Sequence, residues 1–298
     1  MKIFWDISYY CNGQCIYCFT NSTNQKLLIT NSQLEKAYSF FEQIKATEIS
    51  IGGGEPFLSD FTRVCSGLKS DMRISVTTNG TVYNEEIVRM LKEKSIKVTI
   101  SMDSLQLIYY ETVRKGLLLS NILDTIQRLV KWPEIRSNLS LRTTLNVHNI
   151  AEAKDIVDFC INNHIPRLKV NTTNLYGRAK NNRNLVLEFN EFLRTLKEIE
   201  SYAKEFQDVL KMELPIKKYL DGKTQSCTLG NNSLYLAPDG GIYPCAFCEG
   251  HLCMGNIYED SIENIIKTVS IFTHKNSVCQ SCPVRRYENE KCVLEEGQ

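Results

Sequence analysis

The sequence lacks the features that would direct a protein into or across a membrane. No apolar run approaches the roughly 18 residues that a membrane-spanning helix needs. The first ten residues, MKIFWDISYY, contain an acidic residue and no apolar core, so they do not form a secretory signal peptide. These absences predict a cytoplasmic protein with no membrane segment.

An excess of charge of one sign is also missing. The 298 residues contain 35 Lys and Arg against 34 Asp and Glu, which gives a net charge of +1. Proteins that bind nucleic acid or anionic membranes through surface charge carry a clear basic excess. The balance gives no electrostatic case for either, and we expect neither nucleic acid nor membrane as a partner.

Histidine is scarce, with four residues, and cysteine is the informative residue type. Twelve cysteines make up about 4% of the chain, below the roughly 8–10% that is typical of a small disulfide scaffold. Three lie near the start of the sequence, and seven lie between Cys227 and Cys292. Clustered thiols in a long chain without a secretion signal indicate metal ligation rather than disulfides.

Short β-type runs alternate with helical patterns from residue 2 to about residue 170. Strands are predicted at 3–8, 47–52, 72–79, 96–101, 139–145 and 167–170. The first helix is expected near Ser32, where Ser32 and Glu35 match a capping box. Strands that are regularly separated by helices indicate parallel βαβ units, and six of them predict an α/β fold with a partial (β/α)6 barrel. Functional residues then gather at the carboxyl ends of the strands.

The alternation stops after a strongly amphipathic helix that includes Phe192 and Ile199. The sequence NSLYLAPDGGIYP at 232–244 predicts a β-hairpin around an Asp-Gly-Gly turn, and 260–268 predicts one short helix. We therefore predict two domains. The partial barrel spans 1–208, and a small cysteine-rich α+β domain with a β-hairpin spans 209–298.

Cys11, Cys15 and Cys18 form a C-x3-C-x2-C motif directly after the first predicted strand. Three thiolates on one loop can hold three irons of a cubane cluster and leave the fourth iron open. Zinc normally takes four ligands, and no histidine lies near the motif. With the aromatic residue Tyr17 before its last cysteine, the motif resembles the signature of the radical SAM family.

A second motif supports this resemblance, because GGGEP at 52–56 follows the second predicted strand. In the family, this segment holds the methionyl amino group of S-adenosylmethionine (SAM). The resemblance implies a [4Fe–4S] cluster that cleaves SAM reductively, so that a hydrogen atom is removed from a substrate. A flavodoxin- or ferredoxin-type protein would supply the electron. The implied cofactor-binding residues are Tyr17, Gly53, Gly54, Glu55, Asn79, Ser101 and Arg142. For Asn79, Ser101 and Arg142, the alternative is that they are ordinary polar residues at strand ends.

The second group of cysteines begins with C-x12-G-x4-C from Cys227 to Cys245, followed by C-x2-C at Cys279 and Cys282. This pattern resembles the SPASM and shorter twitch extensions of radical SAM enzymes, which hold auxiliary iron–sulfur clusters. The resemblance implies one auxiliary [4Fe–4S] cluster with these four ligands, or with Cys292 in place of one of the last pair. A zinc site with four cysteines is the alternative.

Cys248 lies outside this ligand set and resembles the thiol with which some radical SAM epimerases return a hydrogen atom to a substrate; a buried thiol or an alternative cluster ligand is the other interpretation. Ala246 stands where sulfatase-maturing members carry an Asp, which argues against that activity. An iron–sulfur electron carrier is the alternative that is not an enzyme. The GGGEP motif and the open cluster site argue against it, because a carrier needs no cofactor pocket.

The resemblance implies a ribosomally made peptide as the first choice of substrate, modified by epimerisation or cross-linking. A sugar or aminocyclitol, modified by epimerisation or dehydrogenation, is the alternative. Only ten residues precede Cys11, so we expect no leader-binding domain in this chain. Peptide recognition would then depend on a separate protein, or the substrate would need no leader contact.

Overall fold

The computed structural model describes residues 1–20, 22–215, 230, 232–250 and 252–272. Four predicted ligands of the auxiliary cluster lie outside the described residues: Cys227, Cys279, Cys282 and Cys292. In the described part of the chain, no helix is both long enough and apolar enough to cross a membrane.

The strands of the described residues form one sheet. Their bounds are β1 Lys2–Asp6, β2 Glu48–Gly52, β3 Arg73–Thr78, β4 Lys97–Ser101, β5 Leu139–Leu145, β6 Arg167–Thr172, β7 Lys211–Glu213, β8 Ser233–Leu236 and β9 Ile242–Tyr243. The order across the sheet is β7-β6-β5-β4-β3-β2-β1-β8-β9, and all neighbours are parallel except the hairpin β8-β9. The six predicted barrel strands and the predicted hairpin are confirmed. Strand β7 was not predicted, because three residues are too few to show a strand pattern.

Helices connect the parallel strands. Their bounds are α1 Asn31–Gln43, α2 Phe61–Ser66, α3 Glu85–Glu93, α4 Leu107–Thr112, α5 Leu119–Leu129, α6 Pro133–Arg136, α7 Ala153–Asn162, α8 Phe189–Ala203 and α9 Ile262–Ser270. The predicted capping box of Ser32 and Glu35 is wrong. Thr30 caps α1 instead, because its extended backbone and hydroxyl suit the N-cap, and Gln33 completes the reciprocal hydrogen bonds.

The two faces of the sheet differ in polarity. One face packs on the helices: Ile3 and Trp5 are fully buried, and the Trp5 ring lies 5.1 Å from the Phe41 ring of α1. The register places polar side chains on the opposite, inner face: Asp6, Ser50, Ser75, Thr77, Thr99, Ser101, Arg142, Thr144 and Lys169. Parallel sheets that are covered on both faces are apolar on both. The inner face of this sheet is therefore suited to a polar ligand rather than to a packed core.

The hairpin continues the barrel sheet, because β8 pairs in parallel with β1 from Lys2↔Ser233 to Trp5↔Leu236. At the other edge, β7 pairs with β6. Both strands lie beyond residue 208 yet belong to the same sheet as the barrel strands. The division of the chain at 208 stays a proposal, and the hairpin brings Cys245 and Cys248, which follow β9, to the β1 side of the barrel.

Candidate active site

The glycine segment and the first cysteine motif meet beyond the carboxyl ends of β1 and β2. The Gly54 N–H donates to the Ser8 carbonyl over 2.7 Å, and the Glu55 N–H donates to the Tyr10 carbonyl over 2.7 Å. Gly53 has a φ of +113°, and a Cβ on Gly54 would lie 2.0 Å from the Tyr10 carbonyl oxygen. Glycine is needed here because the segment packs directly on the chain that leads into the cysteine motif.

Glu55 is fully buried and accepts three hydrogen bonds. The donors are the Thr78 hydroxyl at 2.7 Å, the Asn79 N–H at 2.6 Å and the Phe57 N–H at 3.0 Å. Burial raises the pKa of Glu55, and these donors oppose that shift. Because a carboxylate has about four acceptor positions, the protein fills three and leaves about one for the amino group that the family resemblance implies.

Asn79 joins this carboxylate to the cysteine motif. Its Nδ2 lies 2.8 Å from the Asn12 Oδ1 and 3.8 Å from the Cys11 Sγ. Burial raises the pKa of the Cys11 thiol to about 11, and a hydrogen bond from the Gly13 N–H opposes that shift. Three of the predicted site residues, Cys11, Glu55 and Asn79, therefore lie together.

A buried ion pair that was not predicted stands beside Cys15. The Arg114 Nε lies 3.7 Å from the Asp103 Oδ2, and both side chains are almost completely buried. The Asp103 carboxylate also accepts hydrogen bonds from the Tyr17 hydroxyl and from the Thr144 N–H. Burial raises the pKa of Cys15, and the positive charge of Arg114 opposes this. The ion pair thus ties the cysteine motif to the ends of β4 and β5.

Ser101 and Arg142 form a second group of predicted cofactor residues, because they are register partners on β4 and β5. The Arg142 Nε is enclosed and has no hydrogen-bond partner in the described part of the chain. Burial lowers the pKa of Arg142, while Glu213 and Asp103 oppose the shift. The Ser101 carbonyl accepts a hydrogen bond from Arg114, which connects this group to Cys15.

The chain that follows β6 closes over the cysteine motif, and no sequence pattern reveals it. The Arg178 Nε donates to the Cys15 carbonyl over 2.8 Å, and its Nη1 donates to the Ser22 carbonyl over 2.7 Å. Gly177 has a φ of +56°, and a Cβ there would lie 2.4 Å from the Cys18 carbonyl oxygen. Arg178 therefore fixes the backbone of the motif from outside it.

The surroundings of Cys18 favour a thiolate. Its Sγ lies 3.3 Å from the Thr20 Oγ1 and 3.6 Å from the Ser22 Oγ. Burial by itself would raise the pKa of Cys18, but these hydroxyls and the charge of Arg178 lower it below its ordinary value. The thiolate is the form of cysteine that binds metals.

The donor set of this loop fits an iron–sulfur cluster. It offers three thiols, and in the residues that the structure describes, no three His, Cys, Asp or Glu side chains are close enough to hold a single ion. Three thiols on one loop suit a cubane cluster with one open iron, which takes its remaining ligands from a cofactor. We propose Cys11, Cys15 and Cys18 as the ligands of that cluster.

The second cysteine site is only partly described. The Cys245 Sγ lies 3.5 Å from the Cys248 Sγ, well beyond the roughly 2.05 Å of a disulfide. The hydrogen bond between the two sulfurs lowers the pKa of Cys245 to about 7. This favours a thiolate at Cys245, as its predicted role as a ligand requires. The buried Cys248 contacts this predicted ligand, and its role as a hydrogen-atom donor stays a prediction.

Carboxyl and phenol groups form a cluster between the two cysteine sites. The Tyr235 hydroxyl lies 3.0 Å from the Asp6 Oδ2 and 3.4 Å from the Glu249 Oε2, and the Tyr9 hydroxyl donates to Glu249. Burial raises the pKa of Asp6 to about 7; the hydrogen bond from Tyr235 opposes this, and the charge of Glu249 adds to it. These residues are distant in sequence, so no local motif could have identified the cluster.

We expect Asp6→Asn to stabilise the protein above pH 7. The folded-state pKa of about 7 exceeds the ordinary 3.8, so the folded state binds this proton more tightly than the unfolded state does. Wild-type stability is therefore lost as the pH rises from about 4 to about 7. Asparagine still accepts the Tyr235 hydrogen bond but does not ionise. The free energy of unfolding of the variant should therefore exceed that of wild type by about 2–4 kcal/mol at pH 8 and differ little from it near pH 4.

Anaerobic denaturant unfolding of the cofactor-free protein between pH 4 and pH 8 measures this difference. The control is Asp208→Asn, because Asp208 is an exposed aspartate outside the cluster. Parallel stability profiles for wild type and Asp6→Asn would show that Asp6 does not titrate in this range.

Comparison with known proteins defines the class. The Radical SAM superfamily profile matches residues 5–160, and that of SPASM, an iron–sulfur cluster-binding domain, matches residues 227–283. The chain therefore belongs to the radical SAM superfamily and carries a SPASM-type auxiliary domain. The predicted cofactors, SAM and iron–sulfur clusters, are confirmed at the level of the family. A radical SAM enzyme is thus established, and the electron-carrier alternative is wrong.

Particular relatives cover most of the chain. The uncharacterized protein MJ0907 of Methanocaldococcus jannaschii is 27% identical over 264 residues, which are 83% of this chain and 85% of MJ0907. AlbA of Bacillus subtilis, an antilisterial bacteriocin subtilosin biosynthesis protein, is 24% identical over 89% of this chain. This chain spans only 59% of AlbA. Streptococcus suis SuiB, solved with the precursor peptide SuiA, superposes with a TM-score of 0.74 at 18% identity, covering 95% of this chain and 69% of SuiB.

Proposed function

We propose that this enzyme modifies a ribosomally made peptide by removing a hydrogen atom from it. The similarity to AlbA extends over most of the chain, and AlbA takes part in the biosynthesis of subtilosin. SuiB shares the fold and has been solved with a precursor peptide. The polar inner face of the open sheet offers a peptide hydrogen-bonding groups that an apolar core would lack.

The observation that carries the proposal is the packing of the chain around Cys248 on Phe19, next to the first cysteine motif, and on Tyr176, in the chain that closes over that motif. The Tyr176 hydroxyl donates to the Glu249 carbonyl over 3.0 Å. The Phe247 ring lies 5.5 Å from the Tyr176 ring and 6.1 Å from the Phe19 ring. A thiol from the second cysteine site is thereby held close to the loop that is proposed to carry the first cluster.

The cofactor, when bound, supplies the one-electron chemistry that removes a hydrogen atom from carbon. Glu55 would orient its amino group, and Ser101 and Arg142 would contact its polar groups. In an epimerisation, the S–H bond of Cys248 would break and a new C–H bond would form on the opposite face of the substrate carbon. An electron from a flavodoxin- or ferredoxin-type donor, together with a proton, would then restore the thiol. Both this donor and a separate recognition protein remain proposals.

The test uses enzyme reconstituted with iron and sulfide, reduced with dithionite and mixed with SAM and the short peptides encoded beside its gene. We expect release of 5′-deoxyadenosine that depends on one of these peptides, together with a change in the mass of that peptide. Release that depends on a sugar or aminocyclitol instead would overturn the proposal.

Solvent deuterium separates the possible outcomes on the peptide. Gain of one deuterium at a carbon indicates epimerisation, and loss of two hydrogens without label indicates cross-linking. In the first case, Cys248→Ser should abolish the deuterium gain. The exposed thiol Cys253 provides the matched control, and Cys253→Ser should leave the gain unchanged.

A further inference from the structure

Three tyrosine hydroxyls converge on Glu249, the residue that follows Cys248. The Tyr9 hydroxyl donates to one oxygen of the Glu249 carboxylate, and the Tyr235 hydroxyl lies 3.4 Å from the other. The Tyr176 hydroxyl donates to the Glu249 carbonyl over 3.0 Å. Glu249 is therefore held at both its side chain and its backbone, from three separate parts of the chain.

The segments that carry these tyrosines also surround the first cysteine motif. The Tyr9 carbonyl oxygen would lie 2.7 Å from a Cβ on Gly54, so Tyr9 borders the glycine segment. Tyr176 lies two residues before Arg178, which fixes the backbone of the cysteine motif. Tyr235 lies on β8, which pairs with β1, the strand that leads into the motif. The place of Glu249 is therefore set by the chain around the proposed cofactor site.

Cys248 itself is carried by a short element. It ends a single 3₁₀ turn, Ala246–Cys248, in which its N–H donates to the Cys245 carbonyl over 3.0 Å. A turn of this length is only marginally stable unless other contacts fix it. The Cys248 side chain packs on the hairpin β8-β9, and the hydrogen bonds of Glu249 hold the chain directly after it. Contacts from outside the turn thus determine where the thiol lies.

The Glu249 carboxylate occupies this place at a cost. It is half-buried, and it forms no ion pair in the part of the chain that the structure describes. Burial raises the pKa of this carboxyl group; the hydrogen bond from Tyr9 opposes the shift, and the charge of Asp239 adds to it. Hydrogen bonds offset such a cost and, unlike apolar packing, select one geometry.

We propose that Glu249 is a positioning residue that fixes the Cys248 thiol relative to the proposed cofactor site. Resting on the proposed epimerisation, the substrate carbon loses a hydrogen atom on one face; on the other face, the S–H bond of Cys248 breaks as a C–H bond forms. Both steps act on one carbon only when both groups are held in place, and a misplacement of about 1 Å costs about a hundredfold in rate. Tyr9 and Tyr176 provide this hold through Glu249.

The first test compares hydrogen removal with hydrogen return in deuterium oxide, using the reconstituted enzyme and the short peptides encoded beside its gene. In wild type, each 5′-deoxyadenosine released should accompany the gain of one deuterium by the peptide. We expect Glu249→Ala to keep the release within about threefold of wild type but to lower the deuterium gained per release at least about tenfold. Glu249→Gln should restore the coupling, because its amide can accept from Tyr9 and donate to Tyr235. Glu259→Ala is the matched control, because Glu259 is exposed and lies outside the cluster, and it should change neither quantity.

Alkylation of Cys248 gives a readout that needs no peptide. Mass spectrometry follows the reaction of this thiol with iodoacetamide in the cluster-loaded enzyme. Glu249→Ala should raise the rate about tenfold, because the turn opens more often without these hydrogen bonds, and Glu249→Gln should stay within about threefold of wild type. Tyr176→Phe removes one of the three hydroxyls and should raise the rate by a smaller factor. Its control is Tyr258→Phe, because the buried Tyr258 hydroxyl has no hydrogen-bond partner in the described part of the chain.

Glu249 has no positioning role if Glu249→Ala leaves the deuterium gained per release and the alkylation rate unchanged. The same holds if Glu249→Gln behaves like Glu249→Ala, because positioning needs the hydrogen bonds and not the charge. Cross-linking by wild type without deuterium gain would remove the donor role of Cys248 and the positioning role with it. A wild type that modifies no peptide would count against the proposed function, and the alkylation rates would still decide whether Glu249 holds the thiol.

Discussion

Replacing Cys15 with alanine is expected to reduce SAM cleavage to the background of a reaction without enzyme. Cys15 is the central cysteine of the proposed cluster loop; Arg178 holds its carbonyl, and the charge of Arg114 lies beside its thiol. Removal of this thiolate leaves two ligands, which cannot hold three irons of a cubane. The measurement is 5′-deoxyadenosine released from SAM in the presence of dithionite.

Metal content gives a readout of the same variant that does not depend on activity. Wild type with one cluster in each domain should contain about eight irons and eight sulfides per chain, and Cys15→Ala about four of each. Four irons and one zinc in wild type would instead identify the auxiliary site as zinc.

The control for Cys15→Ala is Cys253→Ala, because Cys253 is an exposed thiol outside the proposed ligands. It should keep both the iron and the activity. Undiminished 5′-deoxyadenosine release by Cys15→Ala would refute its assignment as a ligand.

The parallel strands could be predicted because each combines β-type residues with a helical pattern on either side. In the first of them, Ile3 and Trp5 alternate with Phe4 and Asp6, and the structure buries Ile3 and Trp5 on the face that packs against helix α1. The start of α1 was misplaced by two residues. Thr30 and Ser32 both qualify as caps from their side chains alone, and only the local backbone decides between them.

The candidate site could be predicted only where its residues follow one another along the chain. The residues of the cysteine motif are contiguous in sequence, and so are those of the glycine segment. The structure packs the two motifs together. In the segment at 101–104, the resemblance drew attention to Ser101, but the side chain that joins the strands is Asp103. Arg114 contacts a backbone carbonyl and a carboxylate that is distant in sequence, and Arg178 contacts backbone carbonyls. Such contacts leave no pattern in a single sequence.

The ion pair of Arg114 with Asp103 carries the largest expected effect on stability. We expect Arg114→Met to lower the free energy of unfolding by about 3–5 kcal/mol, because it leaves the Asp103 carboxylate buried without its counter-ion. Denaturant unfolding of the cofactor-free protein measures this loss. The matched control is Arg128→Met, since Arg128 pairs with Asp124 on the exposed surface of α5, and it should cost less than about 1 kcal/mol.

A second substitution separates the buried charge from the packing of the arginine side chain. Asn at position 103 can accept the hydrogen bond from the Thr144 N–H through its Oδ1 and donate from its Nδ2 to the Tyr17 hydroxyl, but it carries no charge. If the uncompensated charge causes the loss, adding Asp103→Asn to Arg114→Met should restore part of the stability. The double variant should then lose less stability than the sum of the losses of the two single variants. Additive losses would mean that Arg114 stabilises the fold through its packing and its bond to the Ser101 carbonyl. The restored stability therefore measures how strongly the ion pair, rather than the arginine alone, joins the cysteine motif to β4 and β5.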